Sequence, residues 1–346
     1  MQFADRLNNV ETSAIRELFK LLGKPGIISF AGGFPDSAMF DVEGIRAASN
    51  AALAEEPGAA LQYGATEGYN PLREQLAAFM TAKGATDVAA DNLIVTTGSQ
   101  QALDLLGKTL ISPGDKVIVE GPTFLATIQC FRLYGAELIS APIDGNGVKT
   151  DELEKLIAEH KPKFVYLIPT FGNPSGATLS LERRKRVLEL AAKYQTLVVE
   201  DDPYGDLYFD APPPASLLAL SSQVPGSRNW LAHCGSLSKV LSPGLRIGWL
   251  IANPELLANI QAYGRGEQAL RPAIARSAQL NDADCSRQWE LPIAVATSQQ
   301  WAETDRVAWV RALKVDERPT VIAAAPGTTL KPGDKLLVSR VDQTGG

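Results

Sequence analysis

A chain of 346 residues, 45% hydrophobic and 21% charged, has the balance of a soluble globular protein with a sizeable core, in one large domain with an appendage or in two domains. Its formal net charge of −6 argues against a nucleic acid or an anionic membrane surface held by bulk electrostatics. Three scattered cysteines without a CxxC pair and only two histidines, His160 and His233, leave no disulfide scaffold and little room for a metal cluster or a His-centred triad.

The expectation is therefore a cytoplasmic, metal-free protein. The start, MQFADRLNN, lacks the basic and apolar regions of a secretory signal, and no apolar run reaches the length of a membrane span. ETSAIRELFKLLG predicts a first helix, SFAGGFPD a Gly/Pro loop, and PLREQLAAFMTAKG a second helix.

From about residue 90 to 255 short apolar runs alternate with helical patterns. NLIVTTG, KVIVEG, AELISAP, KFVYLIP, TLVVED, WLAHCGS and GWLIA predict seven strands. SQQALDLLGKTL and LSLERRKRVLELAAKY predict helices between them. This alternation predicts an α/β fold with a mostly parallel sheet covered on both faces, and ligands in such sheets bind at the carboxyl ends of the strands.

The strand ends carry the candidate residues. After NLIVTT comes Gly98 and a helix opening at Ser99–Gln100, where free N–H groups and the helix dipole make an anion site, although an ordinary N-cap would look the same. Phe124, beyond VIVEGPT, can stack on a planar ring or fill core. Asn173, in an N-P-x-G turn, has an amide that can donate to a ligand oxygen or merely shape the turn. Asp201 ends a buried run and needs a partner, which a protonated ring nitrogen would supply, while Asp202 could equally cap a helix. Tyr204 follows three residues later. In GSLSKVLSPGLR, Arg246 suits bidentate phosphate binding, Ser236 can donate to the same group, and Lys239 becomes a nucleophilic amine if burial and nearby positive charge lower its pKa. Together these groups ask for one ligand with a planar ring, a phosphate, a basic ring nitrogen, a phenolic oxygen and an aldehyde. That ligand is pyridoxal 5′-phosphate.

At this point the sequence resembles the class I/II aminotransferases of fold type I, nearest to the branch of the 2-aminoadipate and kynurenine aminotransferases. The matching stretches are SFAGGFPD, LQYGATEGYNPLR, TTGSQQALDL, PGDKVIVEGPTF, YLIPTFGNPSG, VVEDDPYGDLYF and GSLSKVLSPGLRIGW, in the family's order. The resemblance implies that Lys239 anchors the cofactor and shuttles the proton, that Asp201 pairs with the pyridine nitrogen, and that Asn173 and Tyr204 contact the phenolic oxygen. It implies Ser99, Gln100, Ser236 and Arg246 around the phosphate, and Phe124 against the ring where the family usually has Tyr. It implies that Tyr63 reaches the phosphate of a second subunit in a homodimer, and that Gly33 and Arg16 border the substrate. The implied activity is transamination between an L-amino acid (2-aminoadipate-like, aromatic or branched) and a 2-oxo acid such as 2-oxoglutarate.

The resemblance divides the chain into an arm at 1–45, a cofactor-binding large domain at 46–262, and an atypical tail at 263–346. The family continues into a small domain with a GG-x-F-x-W strand and an arginine that grips the substrate α-carboxylate. Neither is found here, and Arg340 stands in a different context. The tail thus reads as a replacement for an absent or aberrant small domain, as in a truncated or frameshifted homologue, and the alternative function is a protein that binds the cofactor but turns over poorly.

Overall fold

The computed structural model describes Arg6, Gly33, residues 35–209 and 211–264, and the backbone of two short strands, Pro292–Ala294 and Trp309–Arg311. The first helix expected near the N-terminus, with Arg16, and nearly all of the tail lie outside the described residues. The chain divides into two compact units, Met1–Ser277 and Ala278–Gly346. In the second unit the two short strands pair antiparallel.

The first unit opens with α1 (Val42–Glu55), α2 (Pro57–Leu61) and α3 (Asn70–Ala82). Alternation then follows: β1 (Leu93–Thr96), α4 (Ser99–Leu110), β2 (Lys116–Gly121), α5 (Leu125–Leu133), β3 (Glu137–Asp144), β4 (Gly147–Val148) and α6 (Thr150–His160). β5 (Phe164–Leu167), α7 (Leu181–Tyr194), β6 (Leu197–Asp202), α8 (Leu217–Leu220), β7 (Leu231–Ser236), β8 (Gly248–Ile251) and α9 (Pro254–Gly264) complete it. All seven strands expected from the apolar runs are present. The two-residue β4 is additional, and is too short to leave a pattern in the sequence.

The eight strands form one sheet in the order β1-β8-β7-β6-β5-β2-β3-β4. Its middle is parallel: β3, β2, β5, β6 and β7 all run the same way. β8 is antiparallel to both β7 and β1. That reversal matters for the site, because the residues just before β8 come to the edge where the other strands end.

The apolar runs are continuous because both faces of the sheet are covered. Alternate residues point to opposite sides. Val165, Leu167, Val198, Leu231 and Trp249 join Leu76 and Met80 of α3 and Val187, Leu188 and Ala191 of α7 in one core. Phe164, Tyr166, Val199, Cys234 and Leu250 join Leu103 and Leu106 of α4, Phe131 of α5 and Ile260 of α9 in the other. From β2 the chain winds outward to β3, then returns to β5 on the other side of β2 and continues to β6 and β7. The winding thus reverses between β2 and β5, and a crevice opens there at the carboxyl ends.

Candidate active site

A cavity of about 430 Å³ lies in that crevice. Its lining includes Ser99, Gln100, Phe124, Asn173, Asp201, Tyr204, Ser236, Lys239 and Arg246, so nine candidates read from scattered strand ends meet in one place. They come from the exits of β1, β2, β5, β6 and β7 and from the approach to β8.

At one end the walls are largely backbone. Gly98 occupies the N-cap position of α4 with φ 70°, and no side chain caps the helix. Ser99 is therefore inside the first turn instead of capping it, and the N–H groups at that end face the cavity with the positive end of the helix dipole. Two glycines allow the close approach. A Cβ on Gly98 would stand 2.8 Å from Arg246 Nη2, and one on Gly248 would stand 2.5 Å from the Gly98 carbonyl carbon. Arg246 is held with left-handed φ 52°, and its guanidinium donates to the carbonyls of Thr97 and Pro243, both at 3.3 Å. The Ser236 hydroxyl donates to Ser238 Oγ at 2.9 Å and accepts from the Ser238 N–H at 3.1 Å. Ser236 Oγ also lies 3.5 Å from the Ile247 carbonyl, and Ser238 lines the cavity beside Ser236.

At the other end the walls are side chains in a dry interior. Asp201 is 2% exposed. Its Oδ2 accepts from the Tyr166 hydroxyl at 2.8 Å, and its Oδ1 makes no hydrogen bond among the described residues. Burial pushes its pKa up to about 6, against the hydrogen bond from Tyr166, which favours the anion. Asp202 does not cap a helix. It accepts from the Gly205 N–H at 3.0 Å in the turn that brings Tyr204 round. Asn173 Nδ2 donates to the Tyr204 hydroxyl at 3.3 Å, so the turn residue and the tyrosine act on one spot. Burial raises the Tyr204 pKa. Phe124 serves both of its possible roles: it packs on the second core and lines the cavity.

Lys239 is half-buried, and that desolvation lowers its pKa. Its Nζ donates to the Gly33 carbonyl at 3.0 Å, which brings Gly33 to the site as well. Tyr63 is 73% exposed and does not line the cavity.

Three supporting residues lacked a signal in the sequence. Arg184, fully buried on α7, donates to the carbonyls of Leu179, Pro169 and Ala215 and to Thr170 Oγ1, which fixes the loop carrying Asn173. Glu200, on the opposite face from Asp201, accepts from the N–H groups of Leu217 and Leu218 and sits 2.8 Å from His233 Nδ1. Glu120 accepts from the Ile168 N–H at 2.8 Å and ties the end of β2 to the exit of β5; burial pushes its pKa up to about 7. Among the described residues no group of acidic, histidine or cysteine side chains could hold a metal ion, and no helix is long and apolar enough to cross a membrane.

The sequence model of the family "Aminotransferase class I and II" matches residues 26–288. Aromatic-amino-acid aminotransferase 1 of Thermococcus litoralis is 40% identical over 264 residues, which is 75% of this chain and 62% of that protein. The match therefore spans less than two thirds of that relative's length. The crystal structure of a multiple substrate aminotransferase from Thermococcus profundus superposes with a TM-score of 0.73 at 37% identity, covering 80% of this chain and 69% of that one. LysN, an α-aminoadipate aminotransferase from Thermus thermophilus complexed with N-(5′-phosphopyridoxyl)-L-leucine, gives a TM-score of 0.70 at 37% identity, covering 83% and 71%.

Proposed function

Because the chain belongs to the class I and II aminotransferases, we propose that its cavity holds pyridoxal 5′-phosphate and that the protein transfers amino groups between an L-amino acid and a 2-oxo acid. The observation that carries this reading is Asp201 Oδ1: a fully buried carboxylate oxygen, unpartnered and facing a cavity, is costly unless a cationic donor completes it. The ring nitrogen of the cofactor is such a donor. The rest of the lining fits the same group. The uncapped start of α4, Ser99, Gln100, Ser236 and Arg246 would receive the phosphate, with Ser238 beside them. Phe124 would cover the ring, and Asn173 with Tyr204 would hold its phenolic oxygen.

When bound, the cofactor supplies an electron-withdrawing ring that stabilises negative charge at the substrate α-carbon. The protein's own residues do the rest. Asp201 keeps the ring nitrogen protonated. The Lys239 amine, with its pKa lowered, is the covalent anchor and the base that takes the proton from the α-carbon. Asn173 and Tyr204 fix the ring's tilt. Gly33, held by Lys239 Nζ, borders the substrate, as Arg16 does in this reading. Tyr63, exposed in the single chain, would meet the phosphate of a second subunit in a homodimer. The substrate proposed is 2-aminoadipate-like, aromatic or branched, with 2-oxoglutarate as acceptor; the names of the relatives support the aromatic and aminoadipate classes, and the leucine adduct held by LysN supports the branched one.

In this reading residues 1–45 form an arm, 46–262 the cofactor-binding domain, and 263–346 a segment standing where relatives have a small domain. One observation favours a second reading, a homologue that binds the cofactor but turns over poorly: residues 289–346 fall outside the family match. Purified protein loaded with pyridoxal 5′-phosphate and screened with amino donors against 2-oxoglutarate separates the two. Visible cofactor absorbance with glutamate formation supports transamination. The same absorbance without glutamate from any donor supports the second reading. No absorbance contradicts both.

A further inference from the structure

The bonding of Asp201 is asymmetric, and the asymmetry has a built cause. Tyr166, on β5, is fully buried and packs edge-on against Phe131, with ring centroids 5.8 Å apart. Its one hydroxyl proton goes to Asp201 Oδ2 at 2.8 Å. Its oxygen is then free only to accept, and it accepts from the Thr127 hydroxyl at 3.1 Å. Thr127 is also fully buried, one turn into α5 beyond Phe124. The proton order Thr127 to Tyr166 to Asp201 ends on Oδ2, and its last bond is strongest when that carboxylate is ionised.

We propose that Thr127 and Tyr166 are positioning residues: a two-hydroxyl chain that pins one carboxylate oxygen, holds Asp201 anionic, and leaves Oδ1 alone for the cofactor nitrogen. This rests on the reading of Asp201 as the partner of that nitrogen. Aligned hydroxyl chains of this kind polarise one another, which strengthens the final bond to the carboxylate in a dry interior. Other titratable and polar groups neighbour Asp201. Glu200 and Asp202 flank it on β6, His233 and Cys234 come from β7, and Ser99 comes from α4. The negative charge of Asp202 opposes ionisation, while His233 and Ser99 assist it. The hydrogen bond on Oδ2 comes from Tyr166.

The test uses pyridoxamine 5′-phosphate, which cannot bond covalently to Lys239, titrated calorimetrically into the full chain from pH 5 to pH 8. Ionisation of the ligand is common to all variants and cancels in ratios of Kd. Losing one hydrogen bond to a charged group shifts an acid's pKa by about one unit, so Tyr166→Phe should bind nearly as well as wild type at pH 8 and about tenfold more weakly at pH 5. Thr127→Val should move the profile the same way by about two- to threefold at pH 5, and Thr127→Ser should restore it. If Tyr166→Phe does not fold, the Thr127 pair decides. A loss equal at every pH, or no loss in either variant, overturns the proposal. Asp201→Asn separates this from the reading beneath it. If that variant binds the ligand as tightly as wild type, Asp201 is not the nitrogen's partner; if it loses binding while the Tyr166 and Thr127 profiles stay flat, only the relay is wrong.

Discussion

The two ends of the cavity solve the problem of holding charge in opposite ways. The α4 end is built from backbone: an uncapped helix start, two glycines that permit close approach, and an exposed arginine on weak 3.3 Å carbonyl contacts. The Asp201 end is built from buried side chains, with a single carboxylate under full desolvation and one oxygen left open. A dianionic phosphate can be met by many small donors near water, each contributing little. A single ring proton needs one strong, dry partner. The first end should therefore be sensitive to shape and tolerant of lost side chains, and the second should behave the other way.

The largest effect should come from breaking the shape of the backbone end. In Gly248→Ala the new methyl meets the Gly98 carbonyl carbon at 2.5 Å and the Ser99 nitrogen at 2.7 Å, both of them backbone. The expected cost is about 3 kcal/mol of stability with loss of cofactor affinity, checked by denaturant unfolding and cofactor titration.

Next comes the buried end. Asp201→Asn should weaken cofactor binding about a hundredfold or more, since the missing charge removes a charge-assisted hydrogen bond in a dry site. Without cofactor the same change should stabilise the protein. The folded pKa of about 6 lies above the ordinary 3.8, so between those values the folded chain binds more protons than the unfolded one and stability falls as pH rises. At pH 7 that penalty is complete and amounts to about 2–3 kcal/mol at most, by the conversion of one pKa unit to 1.36 kcal/mol. The variant should therefore unfold later than wild type at pH 7 and show no such gain at pH 4. A variant less stable than wild type at pH 7 would show that burial does not strain this carboxylate.

How much of this contrast was legible in the sequence follows the same division. The strand runs were readable because both faces are buried, and the nine cavity residues were readable because each stands at a strand exit beside turn chemistry. α1 left no stripe because none of its residues is buried. Tyr166 looks like core in FVYL. Its bond to Asp201 depends on β5 pairing with β6 in the register Tyr166 to Val199, which places Tyr166 and Asp201 on one face. Pairing of strands distant in sequence is not written locally. The reversal of β8, which carries Arg246 to the site, was hidden for the same reason. Ser238 joins the lining beside Ser236, and their hydrogen bond leaves no mark in the sequence.

Smaller effects sharpen the contrast. Arg246→Lys keeps the charge but loses the planar fork, and should weaken cofactor binding about tenfold with a steeper salt dependence, measured by titration at two ionic strengths. Phe124→Tyr keeps the flat face against the cavity and should change affinity less than about twofold. A large loss there would mean that the ring does not lie on Phe124.

If this cavity is a cofactor site closed by Lys239, reductive trapping should find the cofactor on that lysine. The protein is incubated with pyridoxal 5′-phosphate, reduced with borohydride, digested and mapped by mass spectrometry. One dominant phosphopyridoxyl label is expected, on the peptide containing Lys239, and it should disappear in Lys239→Ala. A label spread over surface lysines, or one that survives unchanged in Lys239→Ala, would contradict that assignment.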